Sequence, residues 1–426
     1  MPGRSPLADE VMHGHFRQGL HVLAVAQRAL ADDQMAPASD MQLLGLLAFE
    51  DPPRDGVAAA IAECRRAGVR LAMITGDRPR TARAIASEIG FTLPDSPVVL
   101  GSDLPEDDAE LGEVVDHDGV VLARITPEAR LRVACALRSR GNVVAMTGDG
   151  VNDAPALREA DIGVAMGTSS TDVAREAADL VLLDDHFGTI VAAIKQGRGT
   201  FLNARRFLTY HPTDNVAELA PFIAWAVSAA HVPLALGVPQ ILALDLGTDT
   251  LPAIALGAER PAPEVLDHPP VSGGLLDRAV AARAFGVLGP SEAVMELAVF
   301  VAALAWAGWR PGLDWPSGHA LLAASGAAVL TVVVMQCANA FAGRSLHRPV
   351  WQLRWNANCF LLVAVATTVV FAAVCLGVPL VAGLLSQATP PPAVLPLIVV
   401  AIPVLWLADA LWKSWSRRGG IAVGNT

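Results

Sequence analysis

Thr147-Gly-Asp-Gly-Val-Asn-Asp-Ala-Pro-Ala-Leu157 is the stretch whose reading decides the fold. It follows a short apolar strand over residues 143–146 and passes into a helical pattern from Ala154. A strand that ends in a hydroxyl, a glycine and an acid, and then enters a helix, places those groups at the carboxyl edge of a parallel sheet. That edge is where open α/β sheets bind their ligands. Threonine offers an O–H, glycine opens the backbone N–H groups, and the helix N-terminus favours an anion, so the loop suits a phosphoryl group. Its acids suit Mg²⁺, a hard cation held by one or two carboxylates, waters and phosphate oxygens. The same tripeptide recurs where an apolar strand over 69–74 runs into Thr75-Gly76-Asp77, with Arg78-Pro79 opening a helix. One Thr-Gly-Asp alone is ordinary turn chemistry; the longer string is not.

Working outward, apolar runs alternate with amphipathic helical patterns. Strands are predicted over 43–49, 69–74, 120–123, 143–146, 162–165 and 180–183, with helices over 56–67, 80–89, 127–138 and 154–159 between them. That alternation predicts an α/β doubly wound parallel sheet with helices on both faces. Residues 95–120, rich in Asp, Glu and Pro, read as an acidic surface excursion. The first forty-odd residues, a helix near 12–15 and a strand over 21–26, are too little to bury a core alone.

Beyond a basic amphipathic stretch (195–210) the chain turns apolar. Segments near 216–235, 238–257, 280–307, 319–342, 357–385 and 393–412 each approach the 20 or so helical residues that cross a bilayer. Charge placement agrees. Arg205, Arg206, Arg260, Arg278, Arg283, Arg344, Arg348, Arg354, Lys413, Arg417 and Arg418 fall at one set of ends, while the opposite links carry only Arg310. The positive-inside rule then predicts an all-α domain of six helices with both termini in the cytosol. The formal charge of −11 belongs mainly to the first half, and no basic patch suits nucleic acid. The polar first residues lack the apolar core of a signal peptide. The five cysteines show no metal-ligand spacing and read as reduced packing residues.

The string 147–157, with Met73-Ile-Thr-Gly-Asp77, Asp51-Pro-Pro-Arg54, Asp161-Ile-Gly-Val-Ala-Met-Gly167 and Ala178-Asp-Leu-Val-Leu-Leu-Asp-Asp185, resembles the phosphorylation domain of the P-type ATPases. The likeness runs over about residues 15–415. It implies a HAD-like phosphorylation domain over 43–195, a stalk over 196–213 and a transmembrane domain over 214–426, with 1–42 the tail of a nucleotide-binding domain. It implies ATP and Mg²⁺ as cofactors, and a multi-pass protein of the plasma membrane. By the resemblance Asp149 ligates Mg²⁺ with Asp153, and Asn152 and Asp153 order the metal–phosphate network. Thr75, Gly76 and Asp77 cradle the phosphoryl group, and Arg54 approaches the nucleotide phosphates. Arg130 stands where the family has lysine; the charge is kept, but the planar guanidinium is larger. The family's phosphorylated Asp-Lys-Thr-Gly-Thr motif is absent from these residues, and a covalent mechanism needs its nucleophile. The expectation is therefore a C-terminal portion, inactive alone, that works with an N-terminal half. The alternatives are a non-catalytic remnant or regulatory membrane protein of the same family, and a membrane-anchored HAD phosphatase. The phosphatase would need an aspartyl nucleophile that Asp51 and Asp55 do not supply.

A carboxylate at mid-membrane costs roughly 2.5–3.5 kcal/mol on insertion scales, so it marks a functional site by default. The first span holds Asn215 and Glu218. The second places Asp245, Thr248 and Asp249 on one helical face, in a helix that Gly247 and Pro252 loosen to free backbone carbonyls. No cationic partner is evident deep in the spans for these aspartates. Asn215 to Phe222 and Asp245 to Ile254 look closest to the sodium/potassium pump, with the calcium pumps next. By that resemblance Gln336 and Asn339 in the fourth span join the ligands. An oxygen-rich set of this kind admits Ca²⁺, Na⁺, K⁺ or H⁺ as the transported cation. Glu292, Glu296 and Asp409 are weaker candidates with no motif behind them.

Overall fold

The computed structural model describes residues 11, 14–15, 20–28, 41–49, 52–229, 231–267, 269–271 and 274–418. Met12, Asp51 and residues 419–426 lie outside them. The chain divides into two compact units, Met1–Lys195 with Glu264–Pro269, and Gln196–Pro263 with Pro270–Thr426.

The first unit begins with an antiparallel pair, β1 (His21–Gln27) and β2 (Gln42–Phe49), running from His21 opposite Phe49 to Gln27 opposite Gln42 with a register shift between Val25 and Ala26. The sequence reading placed 43–49 at the start of the parallel sheet; the structure instead pairs it with β1. Apolar content alone cannot tell one sheet from another, and both strands leave leucines half in solvent, Leu23 at 59% and Leu44 at 56% exposure.

The α/β core follows: α1 (Val57–Arg66), β3 (Ala72–Thr75), α2 (Pro79–Glu88), β4 (Val98–Leu100), α3 (Asp108–Val115), β5 (Val120–Ala123) and α4 (Pro127–Ser139). Next come β6 (Ala145–Gly148), α5 (Ala154–Glu159), β7 (Ile162–Met166), α6 (Asp172–Ala177) and β8 (Leu180–Leu182). The strands form two three-stranded parallel sheets, ordered β3-β5-β4 and β6-β7-β8. Residues 95–120 are thus not a surface excursion. Their acids cap and face solvent, with Asp107 accepting from the N–H groups of Ala109 and Glu110 at 2.9 and 3.0 Å. Meanwhile Leu111, Val115 and all of β5 are buried. Local charge masked the apolar period there. The single sheet expected from the sequence is two, because β3 and β6 are each an outer strand with no partner on the far side among the described residues. Their alternate residues Ala72, Ala145 and Thr147 lie exposed, whereas the central β5 is closed on all sides.

Helix α7 (Gly188–Val227) carries the chain into the second unit, with Pro212 and Pro221 inside it. There α8 (Val238–Leu244), a π turn (Asp245–Asp249) and α9 (Thr250–Gly257) run on as one helical segment. Likewise α10 (Arg278–Arg283) passes through a π turn (Ala284–Leu288) into α11 (Gly289–Trp306). Helices α12 (His319–Gly343), α13 (Cys359–Gly377), α14 (Pro379–Leu384) and α15 (Leu395–Arg417) complete the unit. Among the described residues four helices are long and apolar enough to cross a membrane: Arg278–Trp306, His319–Gly343, Cys359–Gly377 and Pro392–Arg417. The first two of the six expected spans are helical but do not join them; their polar residues lower their hydropathy. The expected fifth span breaks at Pro379, which supplies no N–H to continue α13. The cysteines Cys64, Cys135, Cys337, Cys359 and Cys375 are free thiols.

Candidate functional site

In the first unit the two Thr-Gly-Asp turns end two different outer strands, β3 and β6. In the first, the Thr75 hydroxyl donates to the Asp77 carboxylate at 2.9 Å and accepts from the Asp77 N–H at 3.1 Å. Arg124 N–H binds the Asp77 carbonyl at 3.2 Å, and Gly76 stays exposed. In the second, Thr147, Asp149 and Asn152 are exposed while Asp153 is buried. One Asp153 oxygen accepts the Gly150 N–H at 3.1 Å and the other is ion-paired with Arg130. Gly148 is obligatory here because a side chain would run into Asp153. Arg130 therefore reaches the acid loop itself, and its Nε is buried without an acceptor. Arg54 donates to the Asp185 carbonyl at 2.6 Å.

Asp185 also pins the turn after β7. Its carboxylate accepts from Gly167, Thr168 and Ser169 N–H at 2.6, 3.1 and 3.0 Å and from the Thr168 hydroxyl. The Thr168 hydroxyl first, then the amides, hold its carboxyl below the usual 3.8. A Mg²⁺ ion needs a free carboxylate. Asp149 presents one to solvent, whereas Asp153 is already engaged, so the donor set fits Mg²⁺ through Asp149 with phosphate and water completing the shell. Among the described residues no preformed group of three metal-ligating side chains exists.

In the second unit the polar residues of α7, the Asp245–Asp249 π turn and α12 meet in the interior. Glu218 is 4% exposed, and Thr248, Asp249, Gln336 and Asn339 are at 1% or less. The Thr248 hydroxyl lies 2.8 Å from Gln336 Oε1. Asn339 Nδ2 donates to Asp214 Oδ1 at 3.3 Å. Glu218 reaches Asp245, which is half-buried. Asn215 is not in this cluster; it is exposed, and its neighbour Asp214, buried at 1%, takes the interior position. The loosening expected at Gly247 is the π turn, a geometry common at functional sites. The carbonyls around it are met by threonines: Leu244 by Thr248, Asp245 by Thr250 and Thr248 by Thr368, at 2.8, 2.8 and 3.1 Å. Gly247 lets the Phe371 ring of α13 sit against the turn, where any Cβ would overlap it.

Asp249 has a side-chain partner that the sequence reading did not name, His211, whose Nδ1 meets its carboxylate. Sequence reasoning missed this histidine, two helical turns before Glu218, because its contact with Asp249 joins residues far apart in the chain. Arg283, counted from the sequence among the charges at the start of the third span, is buried. It binds Asp409 at 2.6 Å, with Lys413 Nζ on the other oxygen at 2.5 Å. Lys413 also donates to the Ala342 and Arg348 carbonyls at 2.9 and 3.0 Å. Asp409 is therefore a clasp between α10 and α15 rather than a free acid.

Residues 233–415 match the family model described as cation transporting ATPase, C-terminus, and residues 7–161 that of the haloacid dehalogenase-like hydrolases. The chain is 37% identical over 310 residues to the sodium/potassium-transporting ATPase subunit alpha-2 of Gallus gallus, covering 66% of this chain and 30% of that protein. It is 43% identical over 273 residues to a calcium-transporting ATPase of Bacillus subtilis, covering 63% and 30%. Against the "Probable cation-transporting ATPase F" of Mycobacterium bovis it is 39% identical over 359 residues, covering 82% and 38%. The chain thus matches about a third of the length of these relatives.

Proposed function

We propose that this chain, a region of a P-type cation-transporting ATPase, is the part of a pump that couples Mg²⁺-dependent aspartyl-phosphate chemistry to cation movement through its helices. The observation that carries the reading is the pair of Thr-Gly-Asp turns on β3 and β6, two parallel strands each open on one edge among the described residues. Parallel sheets occur almost only with both faces covered, and an open strand edge presents N–H and C=O groups ready to pair with a further strand. A strand bearing Asp-Lys-Thr-Gly-Thr, on the same polypeptide or another, pairs with those edges and sets its aspartate between the two loops. ATP supplies the phosphoryl group, and Mg²⁺ held by Asp149 neutralises the charge on it. Thr75 and Gly76 offer a hydroxyl and an N–H to the phosphoryl oxygens. Asp77 orients the Thr75 hydroxyl. Asn152 stands exposed at the same loop, and Arg130 adds positive charge while Asp153 fixes where its guanidinium sits.

In the membrane, Glu218, Asp245, Thr248, Asp249, Gln336 and Asn339 bind the transported cation, with Asp214 in the interior place beside Asn215. Carboxylate, amide and hydroxyl oxygens of this kind suit Ca²⁺, Na⁺, K⁺ or H⁺. The arginine-rich ends support a cytosolic side for the first unit and the end of α15, and the reading takes the membrane to be the plasma membrane.

The test is acid-stable phosphorylation by labelled ATP. The chain alone forms no acyl-phosphate; combined with a segment carrying Asp-Lys-Thr-Gly-Thr it does, on that segment, and Asp149→Ala abolishes it. Phosphorylation unchanged in Asp149→Ala contradicts the role given to that loop.

A further inference from the structure

The arginine-poor end of the second unit holds three polar side chains that take no part in the cation cluster. Gln240 of α8, Ser325 of α12 and Gln387 of the link between α14 and α15 are 2%, 6% and 3% exposed. The core around them is apolar, with Ala235, Leu236, Ala324, Ala328 and Val394 among its buried members. Gln240 Oε1 accepts the Gly237 N–H at 2.6 Å, and its Nε2 donates to Ser325 Oγ and Gln387 Oε1 at 2.8 and 3.2 Å. Ser325 Oγ donates to the Ala235 carbonyl at 2.7 Å, and Gln387 Nε2 to the Cys375 carbonyl of α13 at 3.1 Å. These bonds tie the start of α8 to α12, α13 and the α14–α15 link. None of the three side chains ionises, so the knot answers to movement and not to pH.

The knot is joined mechanically to the Asp245–Asp249 π turn. Gln240 and Thr248 lie on one continuous helical segment, about two turns apart. One stripe of α13 touches both ends of it: Thr368 donates to the Thr248 carbonyl, Phe371 sits against Gly247, and the Cys375 carbonyl takes Gln387. Between knot and turn lies a void of about 10 Å³ walled by Gln240, Thr248, Phe371, Ala372, Cys375 and Gln387. It gives these walls the only slack they need, because packed cores switch between arrangements and do not deform continuously. Interhelical hydrogen bonds within a membrane are individually modest, since released groups find other partners. A knot of this kind can open and reclose.

We propose that Gln240, Ser325 and Gln387 are a latch. Closed, it seals the arginine-poor end of the unit; open, it frees the start of α8 and admits small polar solutes toward the π turn. The latch stands on its own geometry, whereas its response to a cation at the π turn rests on the pump reading.

Cys375 reports the state of the latch, because it is buried, lines the void and supplies one of the carbonyls. The full chain in lipid nanodiscs is treated with methyl methanethiosulfonate, and peptide mass spectrometry follows each cysteine. Gln240→Met, Gln387→Met and Ser325→Ala remove bonds at little change in volume. Each is expected to raise the Cys375 rate about fivefold or more, since labelling tracks the open fraction, with Cys337 on α12 unchanged. Cys375 at the wild-type rate in all three variants overturns the latch, and so does equal acceleration of Cys337 and Cys375, which marks the network as structural glue. CaCl₂, NaCl and KCl are then added to wild type in turn. One of them changes the Cys375 rate at least about threefold by shifting the closed and open populations, and Ser325→Ala abolishes that change. A rate indifferent to all three salts overturns the coupling to the π turn. A cation response that survives in Asp249→Asn faults the ligand set of the pump reading and leaves the latch standing.

Discussion

At the scale of single residues, Asp185 shows how one carboxylate organises a turn. It accepts three amides and a hydroxyl between Gly167 and Ser169, and these bonds favour its ionised form. Its folded-state value lies below the unfolded one, so its contribution to stability is fully present above 3.8 and drains away as the pH falls through the lowered folded value. Asp185→Asn is expected to melt below wild type at neutral pH, with the gap closing in strong acid; a gap that stays constant with pH contradicts this. The sequence exposed much at this scale and lost some of it to helical phase. One residue turns a helix by over a quarter of a revolution, enough to put Asn215 outside and Asp214 inside. The polar pair Thr248 and Gln336 was named from separate segments, and the structure sets them 2.8 Å apart. Nothing in the residues near Asp249 announced His211, because their contact spans a long chain separation that periodicity does not encode.

Among the elements, the π turn at Asp245–Asp249 governs how the buried acids are presented. It exists where Gly247 leaves room for Phe371 and where three threonine hydroxyls take up carbonyls that the wider turn disturbs. Gly247→Ala puts a methyl into the ring and should cost about 1–3 kcal/mol by overpacking. Phe371→Leu in the same chain should recover part of that. Thermal unfolding in detergent measures both; a Gly247→Ala chain as stable as wild type contradicts the close approach. Strand and helix order were legible from alternation alone, since period two and period 3.6 differ plainly. Sheet membership was not. The pairing of β2 with β1, and of β4 with β5, depends on partners distant in sequence, and the acidic run around Asp103–Asp118 obscured a buried helix face.

For the whole molecule, two units with different solvents are written in one chain: a charged α/β unit with parallel sheets, and helices of which four are apolar enough to cross a membrane among the described residues. That division was legible because it is compositional, with the acids early and the apolar runs late. The count of crossings was less so: six segments were expected and four of the described helices are apolar enough to cross, the two that carry most of the candidate cation ligands being the more polar. The central claim is that phosphoryl chemistry in the first unit answers to a cation in the second. The most direct measurement is the level of acyl-phosphate, formed with an Asp-Lys-Thr-Gly-Thr segment supplied, as Ca²⁺, Na⁺ or K⁺ is titrated in turn. One of these cations is predicted to change the level in wild type, and Asp249→Asn to shift that response at least about tenfold in concentration, a loss of about 1.4 kcal/mol in binding. An acyl-phosphate level indifferent to all three, or identical in wild type and Asp249→Asn, would contradict the account.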